Sequence, residues 1–151
     1  MRLEHTVMKH LIYSLAFCVC VAASTPAFAQ QSGGLRVEFQ GPGGHSSGAY
    51  GRVSALHAAA RAVILIQKAL PAGSYQITNL TGGNSVNSIA SDGLIEMKLT
   101  AANDAAYKAL VAAVTKAAAE GAAAENAFRG VKAGDLTSGA PATVRSVVTP
   151  F

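Results

Sequence analysis

Hydrophobic and polar residues alternate along LRVEFQ at residues 35–40, which is the pattern of a β-strand with one buried face. The next eleven residues, 41–51, include five glycines and one histidine, so a tightly turned loop is predicted there. Apolar side chains then recur at helical spacing over residues 53–70, and Pro71 and Gly73 favour an end to that helix. The first half of the fold is therefore predicted as strand, loop and helix.

The second half of the chain repeats these strand and helix signals. Residues 75–80 and 88–100 are predicted as strands joined by the glycine-containing turn 81–87. A second amphipathic helix is predicted to begin after Asn103 and to end at Gly121, with the following alanine-rich run as an alternative extension.

Two details of the predicted sheet are left to the structure. Gly93 is a candidate β-bulge, and the last strand has two candidates, residues 128–132 and 143–148. The element order is β-α-β-β-α-β in either case. This order predicts an α+β fold of the split β-α-β type, a two-layer sandwich in which an antiparallel sheet carries two helices on one face.

The first 29 residues have the pattern of a leader. Basic residues precede an apolar run at residues 11–23, and Ala27 and Ala29 form a small-x-small cleavage site before Gln30. The run is too short to cross a membrane as a helix. We predict a signal peptide, a secreted or periplasmic protein and no membrane attachment after cleavage. Both cysteines lie in this leader, so the mature chain is expected to form no disulfide.

The length of the remaining chain indicates one domain. Residues 30–34 are predicted as a short linker, residues 35–132 as the folded domain and residues 133–151 as a tail rich in glycine, serine and threonine. The net charge of +4 comes from basic residues that are scattered, and aromatic residues do not alternate with them. Nucleic acid is therefore not expected as a partner.

His45 is the ionisable side chain of the glycine-rich loop, and catalysis, ligand binding and helix capping are three open roles for it. The surrounding GHSSG, at residues 44–48, matches the G-x-S-x-G pattern of serine hydrolases. We reject that function because the only later histidine is His57, in the predicted helix, and no histidine follows Asp92 or any later acidic residue. With two histidines and no cysteine after the leader, no metal ligand and no catalytic residue is predicted, and His57 is assigned to a solvated helix face.

Two motifs stand at a characteristic separation. They are GPGGHS at residues 41–46, before the first helix, and GGNSVNSI at residues 82–89, before a strand and the second helix. Over residues 37–126 the chain resembles the dimerisation (lid) domain of the zinc metallopeptidase family that includes aminoacylases, succinyl-diaminopimelate desuccinylase and glutamate carboxypeptidases. The resemblance agrees with the element order obtained from the hydrophobic pattern.

The resemblance implies roles for four residues. In that family the lid is inserted into a catalytic domain that carries two zinc ions and a glutamate base, and the lids pair into a homodimer. By resemblance, His45 would act in trans and stabilise the oxyanion that develops at the scissile carbonyl in the partner subunit. Asn87 would hold the substrate near Gly82 and Gly83. A positioned donor of this kind is worth about 3 to 4 kcal/mol.

The sequence departs from the family pattern in two places. No zinc-ligand set accompanies the motifs, and KLTA stands at residues 98–101 where many members have Asp-x-Arg-Ser, whose arginine binds the substrate carboxylate. We therefore expect a secreted stand-alone domain that forms a homodimer, needs no cofactor and has no catalysis of its own. Two alternatives stay open: the lid half of a split zinc peptidase or amidohydrolase, whose separate catalytic chain supplies the zinc, and a non-functional gene remnant.

Overall fold

The computed structural model describes residues 30–151, so the predicted signal peptide and its cleavage site at Ala27 and Ala29 lie outside the described residues. The elements are, in chain order, β1 (Gln31–Gln40), β2 (Gly44–His45), α1 (Ser46–Ala49), α2 (Ala55–Ala69), β3 (Tyr75–Thr81), β4 (Ser88–Ile89), β5 (Asp92–Ala101), α3 (Asp104–Phe128), β6 (Leu136–Thr137), β7 (Ala140–Pro141) and β8 (Arg145–Pro150). Among the described helices, none combines the length and apolar character that a membrane crossing requires.

A four-stranded sheet in the order β3-β5-β1-β8 forms one layer, and every neighbouring pair in it is antiparallel. Helix α2 packs on β3, β5 and β1, whereas α3 packs on β8, β5 and β1, and the two helices also pack on each other. The predicted α+β two-layer sandwich is therefore confirmed. β3 lies at the edge beside α2, and β8 lies at the edge beside α3.

Strand alternation determines which side chains enter the core. Leu35, Val37 and Phe39 of β1 are buried, and the antiparallel register places Leu35 opposite Met97 and Val37 opposite Ile95. The residues between them are polar and stay on the outer face, as the period of two requires. The buried face meets α2 and α3, so that the core lies between sheet and helices.

Gly121 lies inside α3, so the prediction that the helix ends there is wrong and the alternative extension through the alanine-rich run is confirmed. A Cβ atom added at Gly121 would lie 2.8 Å from both the carbonyl oxygen of Ala58 and the amide nitrogen of Ala62. Glycine is therefore required here for the close approach of α2 and α3. The alanine-rich sequence on either side keeps a high helix propensity, so the helix continues to Phe128.

The predicted bulge at Gly93 is also wrong. Gly93 pairs regularly with Phe39, and the irregular register lies in the neighbouring strand β3, between Ile77 and Asn79. A Cβ atom at Gly93 would lie 2.6 Å from the carbonyl oxygen of Ala55. This glycine therefore admits the first turn of α2 close to the sheet.

Both predicted ends of the domain are corrected by the sheet. β1 begins at Gln31, so most of the predicted linker at residues 30–34 is strand. β8 lies in the predicted tail, residues 133–151, and pairs antiparallel with β1. Of the two candidates for the last strand, residues 143–148 overlap β8, while residues 128–132 form the end of α3 and a turn.

Candidate functional site: the two motif loops

The two loops that carry the motifs lie side by side and are joined by backbone hydrogen bonds. The amide of Gly41 donates to the carbonyl of Ser91 at 2.8 Å, and the amide of Ser46 donates to the carbonyl of Asn87 at 2.9 Å. Between these two bonds, β2 pairs antiparallel with β4. The motif at residues 41–46 and the motif at residues 82–89 therefore form one site.

Backbone conformation and steric contacts explain why glycine occupies positions 43 and 44 of the first motif. Gly43 and Gly44 have φ angles of 61° and 144°, a region in which side chains are disfavoured. A Cβ atom at Gly44 would also lie 2.5 Å from the Cβ of Ala49, and one at Gly43 would lie 2.7 Å from the Cβ of Ser91. These glycines allow the loop to fold back on α1 and to contact the second loop.

Gly82 and Gly83 of the second motif are explained by packing as well. A Cβ atom at Gly82 would lie 2.5 Å from the carbonyl oxygen of Asp92, and Gly83 has a φ angle of 73°. The turn therefore lies tightly against the start of β5. Their expected contact with a substrate remains a prediction.

The structure brings together the side chains of His45 and Asn87, which are 42 residues apart in sequence: His45 Nε2 lies 3.1 Å from Asn87 Nδ2. On the other side of the ring, His45 Nδ1 lies 2.8 Å from Ser47 Oγ and 3.3 Å from the Ser47 amide nitrogen. His45 is thus the N-cap residue of α1, one of its three open roles. Both side chains are exposed, which leaves them accessible to another molecule.

Arg52 connects this loop pair to the C-terminal part of the chain. Its Nη1 donates to the carbonyl of Gly43 at 3.2 Å, and its Nη2 donates to Ser138 Oγ at 3.1 Å. Ser138 and Gly139 have positive φ angles of 51° and 79° and form the two-residue turn between β6 and β7. Sequence analysis gave no signal for this contact, because the hairpin and Arg52 are distant along the chain.

Glu125 is a second feature that sequence analysis missed. It is fully buried, yet its carboxylate accepts from the amide of Ser54 at 3.1 Å, from Arg61 Nε at 3.1 Å and from Arg129 Nε at 3.3 Å. The guanidinium groups of both arginines also lie 5.0 Å from the ring centroid of Phe128. Glu125 therefore connects the N-terminus of α2 to the C-terminal turn of α3. The sequence did contain one indication of this buried carboxylate: Glu125 lies at helical spacing from the apolar residues of the second helix that face the core.

His57 and Thr100 lie apart from the His45–Asn87 pair. His57 is exposed, as predicted, and its Nδ1 is 3.7 Å from Glu125 Oε1. Thr100 lies eight positions after Asp92 on β5, so it is about 26 Å along the strand from the end that contacts the second motif. The missing arginine of the family pattern would therefore belong to a different place on the domain from His45.

The described residues supply hydrogen-bonding groups at this site but no metal centre. In residues 30–151 no group of three or more histidine, cysteine, aspartate or glutamate side chains could hold a metal ion. Within that range, every buried side-chain nitrogen and oxygen has a hydrogen-bond partner. His45 and Asn87 present an exposed imidazole and an exposed amide at this site, and a substrate-binding role for these two residues remains a prediction.

Residues 30–126 match the family model of the peptidase dimerisation domain, and the chain belongs to this family. The resemblance drawn from the two motifs is thereby confirmed. No curated protein matches the sequence.

Solved structures share the fold. The domain is similar to an aminobenzoyl-glutamate utilization protein from Klebsiella pneumoniae (TM-score 0.60, 16% identity, covering 82% of this chain and 28% of that protein). It is also similar to a tripeptidase from Staphylococcus aureus (TM-score 0.61, 17% identity, covering 81% of this chain and 29% of that protein). A third similar structure is a hydantoinase/carbamoylase family amidase from Burkholderia ambifaria (TM-score 0.58, 21% identity, covering 83% of this chain and 28% of that protein). The chain thus spans less than a third of the length of each of these proteins.

Proposed function

We propose that this protein is a secreted or periplasmic dimerisation module that pairs with a second copy of itself and has no catalysis of its own. The observation that carries the proposal is the match to the peptidase dimerisation domain over residues 30–126, together with a sheet that has an unpaired edge strand. An unpaired strand edge is a template for another strand, and a symmetric copy supplies one.

The β3 edge suits self-association better than the β8 edge. β3 is seven residues long and contains no proline, whereas β8 is shorter and ends at Pro150, which has no amide hydrogen to donate. Apolar side chains are exposed at both edges, Leu80 of β3 at 43% and Val147 of β8 at 55%, and Ile64 of α2, the helix that packs on β3, is 52% exposed. The alanines of α2 lie in the core except Ala60 and Ala69, so the interface is expected to use the larger side chains of Ile64 and Leu80.

Light scattering after size-exclusion chromatography tests the interface. We expect a dimer mass for the parent protein at micromolar concentration and a monomer mass for the double variant Ile64→Lys with Leu80→Lys. The matched control is Val147→Lys on β8, at 55% exposure, which should stay dimeric. If the parent protein is monomeric, self-association is contradicted. If Val147→Lys is monomeric while the double variant stays dimeric, the interface lies at β8 and not at β3.

The absence of independent catalysis and of a cofactor is tested on the same protein. After dialysis, metal analysis should find no stoichiometric zinc, and N-acyl amino acids and small peptides should not be hydrolysed. The physical reason is that a catalytic zinc site needs about three protein ligands, and residues 30–151 bring no such set together. Stoichiometric zinc with chelator-sensitive hydrolysis would overturn this part of the proposal.

Export is proposed from the leader alone. We expect the protein recovered from the periplasm or medium to begin at Gln30, because Ala27 and Ala29 form the cleavage site. Intact mass spectrometry gives the N-terminus directly. A cell-associated protein that still begins at Met1 would be evidence against a cleaved signal peptide.

A second candidate function is that of a lid acting in trans on a separate zinc-carrying chain. The adjacency of His45 and Asn87 favours it, because it joins in one exposed site the two residues that the family resemblance implies for substrate binding. In a mixture with such a chain, His45→Ala should leave the complex assembled and slow hydrolysis by about a hundredfold or more. Unchanged hydrolysis in an assembled complex would exclude this role for His45.

A further inference from the structure

A cleft of about 440 Å³ lies between the end of the glycine-rich loop and the C-terminal hairpin formed by β6 and β7. Tyr50 and Arg52 line one side, and Leu136 and Thr137 of β6 line the other. The second side lies outside residues 30–126, the range that matches the family model. Small-molecule sites have volumes of about 300 to 1,000 Å³, so the cleft is large enough for a small ligand.

Arg52 brings a positive charge without a counter-ion to this cleft. Three other arginines in residues 30–151 form salt bridges with Glu96 or Glu125, whereas no carboxylate in that range pairs with Arg52. The side chain is partly buried, and its guanidinium donates to two neutral acceptors, the carbonyl of Gly43 and the hydroxyl of Ser138. These bonds hold the guanidinium between the two sides of the cleft. Its remaining N–H groups are therefore preorganised for a carboxylate.

Apolar side chains surround the charge. Tyr50 is 93% exposed and Leu136 is 69% exposed, and they line opposite sides of the cleft. Val131, partly buried, and Ala142, buried, also line it. Exposed apolar surface beside a fixed cation suits a ligand that has an anionic end and an apolar body.

Asp135 limits the charge of such a ligand. It lines the same cleft, and its Oδ2 accepts the backbone amide of Lys132 at 2.7 Å. Within residues 30–151 it forms no salt bridge with Arg52, so its negative charge stays in the cleft. A like charge close by is unfavourable, and a second anionic group on the ligand is therefore disfavoured.

We propose that this cleft binds a singly charged carboxylate that carries an aromatic or branched apolar group. The carboxylate accepts from the Arg52 guanidinium, and the apolar group packs between the Tyr50 ring and Leu136. The proposal goes beyond the proposed function, because it requires neither self-association nor a catalytic chain.

A nuclear magnetic resonance titration of the ¹⁵N-labelled protein with phenylacetate, at neutral pH in a buffer without carboxylates, tests the site. We expect saturable shifts of the backbone amides of residues 50–52 and 135–137, with a Kd in the millimolar range. Acetate, which lacks the apolar body, should bind at least about tenfold more weakly, and phenethylamine, which has the opposite charge, should not shift these amides. Shifts that do not saturate, that lie elsewhere, or that phenethylamine reproduces would contradict the proposal.

Variants assign the binding to the named side chains. Arg52→Gln should weaken phenylacetate binding by about tenfold or more, the effect of losing a hydrogen bond to a charged group. The matched control is Arg145→Gln, since Arg145 is exposed, also pairs with no carboxylate in residues 30–151, and donates to Gln40 away from the cleft. It should bind phenylacetate with the parent Kd.

Two substitutions of exposed side chains, Tyr50→Ser and Leu136→Ser, keep the test decisive if Arg52→Gln does not fold. Each should weaken phenylacetate binding and leave the weak binding of acetate unchanged, a difference that a merely structural role of these residues would not produce. An unchanged phenylacetate Kd in folded Arg52→Gln, or in both serine variants, would overturn the proposal.

Discussion

Replacing Glu125 with alanine should destabilise this protein more than any surface change. The carboxylate is fully buried and accepts from the Ser54 amide and from Arg61 and Arg129. Removing one partner of a buried ion pair costs about 3 to 5 kcal/mol. The side chains of Arg61 and Arg129 are 37% and 25% exposed, so both guanidinium groups can turn toward water, and this places the expected loss at the lower end.

The Ser54 amide cannot recover in this way, because Ser54 is itself buried. A buried donor without a partner costs about 1 to 3 kcal/mol. We therefore expect Glu125→Ala to lose about 3 kcal/mol of unfolding free energy, a large fraction of the roughly 5 to 15 kcal/mol of a typical domain. Glu125→Gln keeps an oxygen for the Ser54 amide and loses the charge, so it should lose about half as much.

Urea denaturation followed by circular dichroism, at one fixed protein concentration, measures these differences. The control is Glu120→Ala, on the same helix, whose exposed ion pair with Lys116 spans 3.6 Å and should change stability by less than about 0.5 kcal/mol. If Glu125→Ala lost less than about 1 kcal/mol, or no more than Glu120→Ala, the argument for a stabilising buried carboxylate would be refuted.

Two further predictions concern the outer sheet face and the helix contact. The hydrogen bond from Arg36 lowers the pKa of Glu96 below its ordinary value of 4.5, so its stabilisation should be present above about pH 4.5 and be lost as the pH falls through the folded pKa. Thermal melts of Glu96→Gln should therefore fall below the parent at pH 7 and converge with it in acid; a constant difference would contradict this. Gly121→Ala should lose about 1 to 3 kcal/mol, because the new Cβ atom meets the Ala58 carbonyl at 2.8 Å. Gly48→Ala, with open space around it, should be neutral or slightly stabilising, and equal effects of the two variants would argue against the close helix contact.

The hydrophobic pattern was sufficient for the strands and helices of the first half. The alternation in residues 35–40 predicted both β1 and its buried face, because successive side chains of a strand point to opposite sides. The helical spacing in residues 53–70 predicted α2 within a few residues of its ends. The two glycine-containing motifs marked the loops that form the candidate site. Each of these patterns lies within one short segment, so it can be recognised without knowing which distant segments that segment contacts.

Features that depend on contact between distant segments could not be obtained in this way. A glycine after a helical pattern can mark the end of the helix or a position where a second helix packs closely. At Gly121 only the contact with α2 distinguishes these two possibilities. β8 was recognisable as one of two candidates, but its place beside β1 is a pairing of segments more than 100 residues apart, which the local pattern does not specify. The bulge lies in β3, between Ile77 and Asn79, whereas Gly93 admits the first turn of α2 close to the sheet, and both are contacts that the local sequence pattern does not specify.

The sequence by itself thus determined the order of the four main strands and the two long helices, the family and the two loops, but not the short elements β2, α1, β4, β6 and β7. Only the tertiary structure decided that His45 meets Asn87 at 3.1 Å and that Glu125 is buried with two arginines. The physical reason is that periodicity follows from backbone geometry within one element. By contrast, the environment of a polar side chain depends on which segments exclude water around it, and that is settled when the sheet and the helices pack.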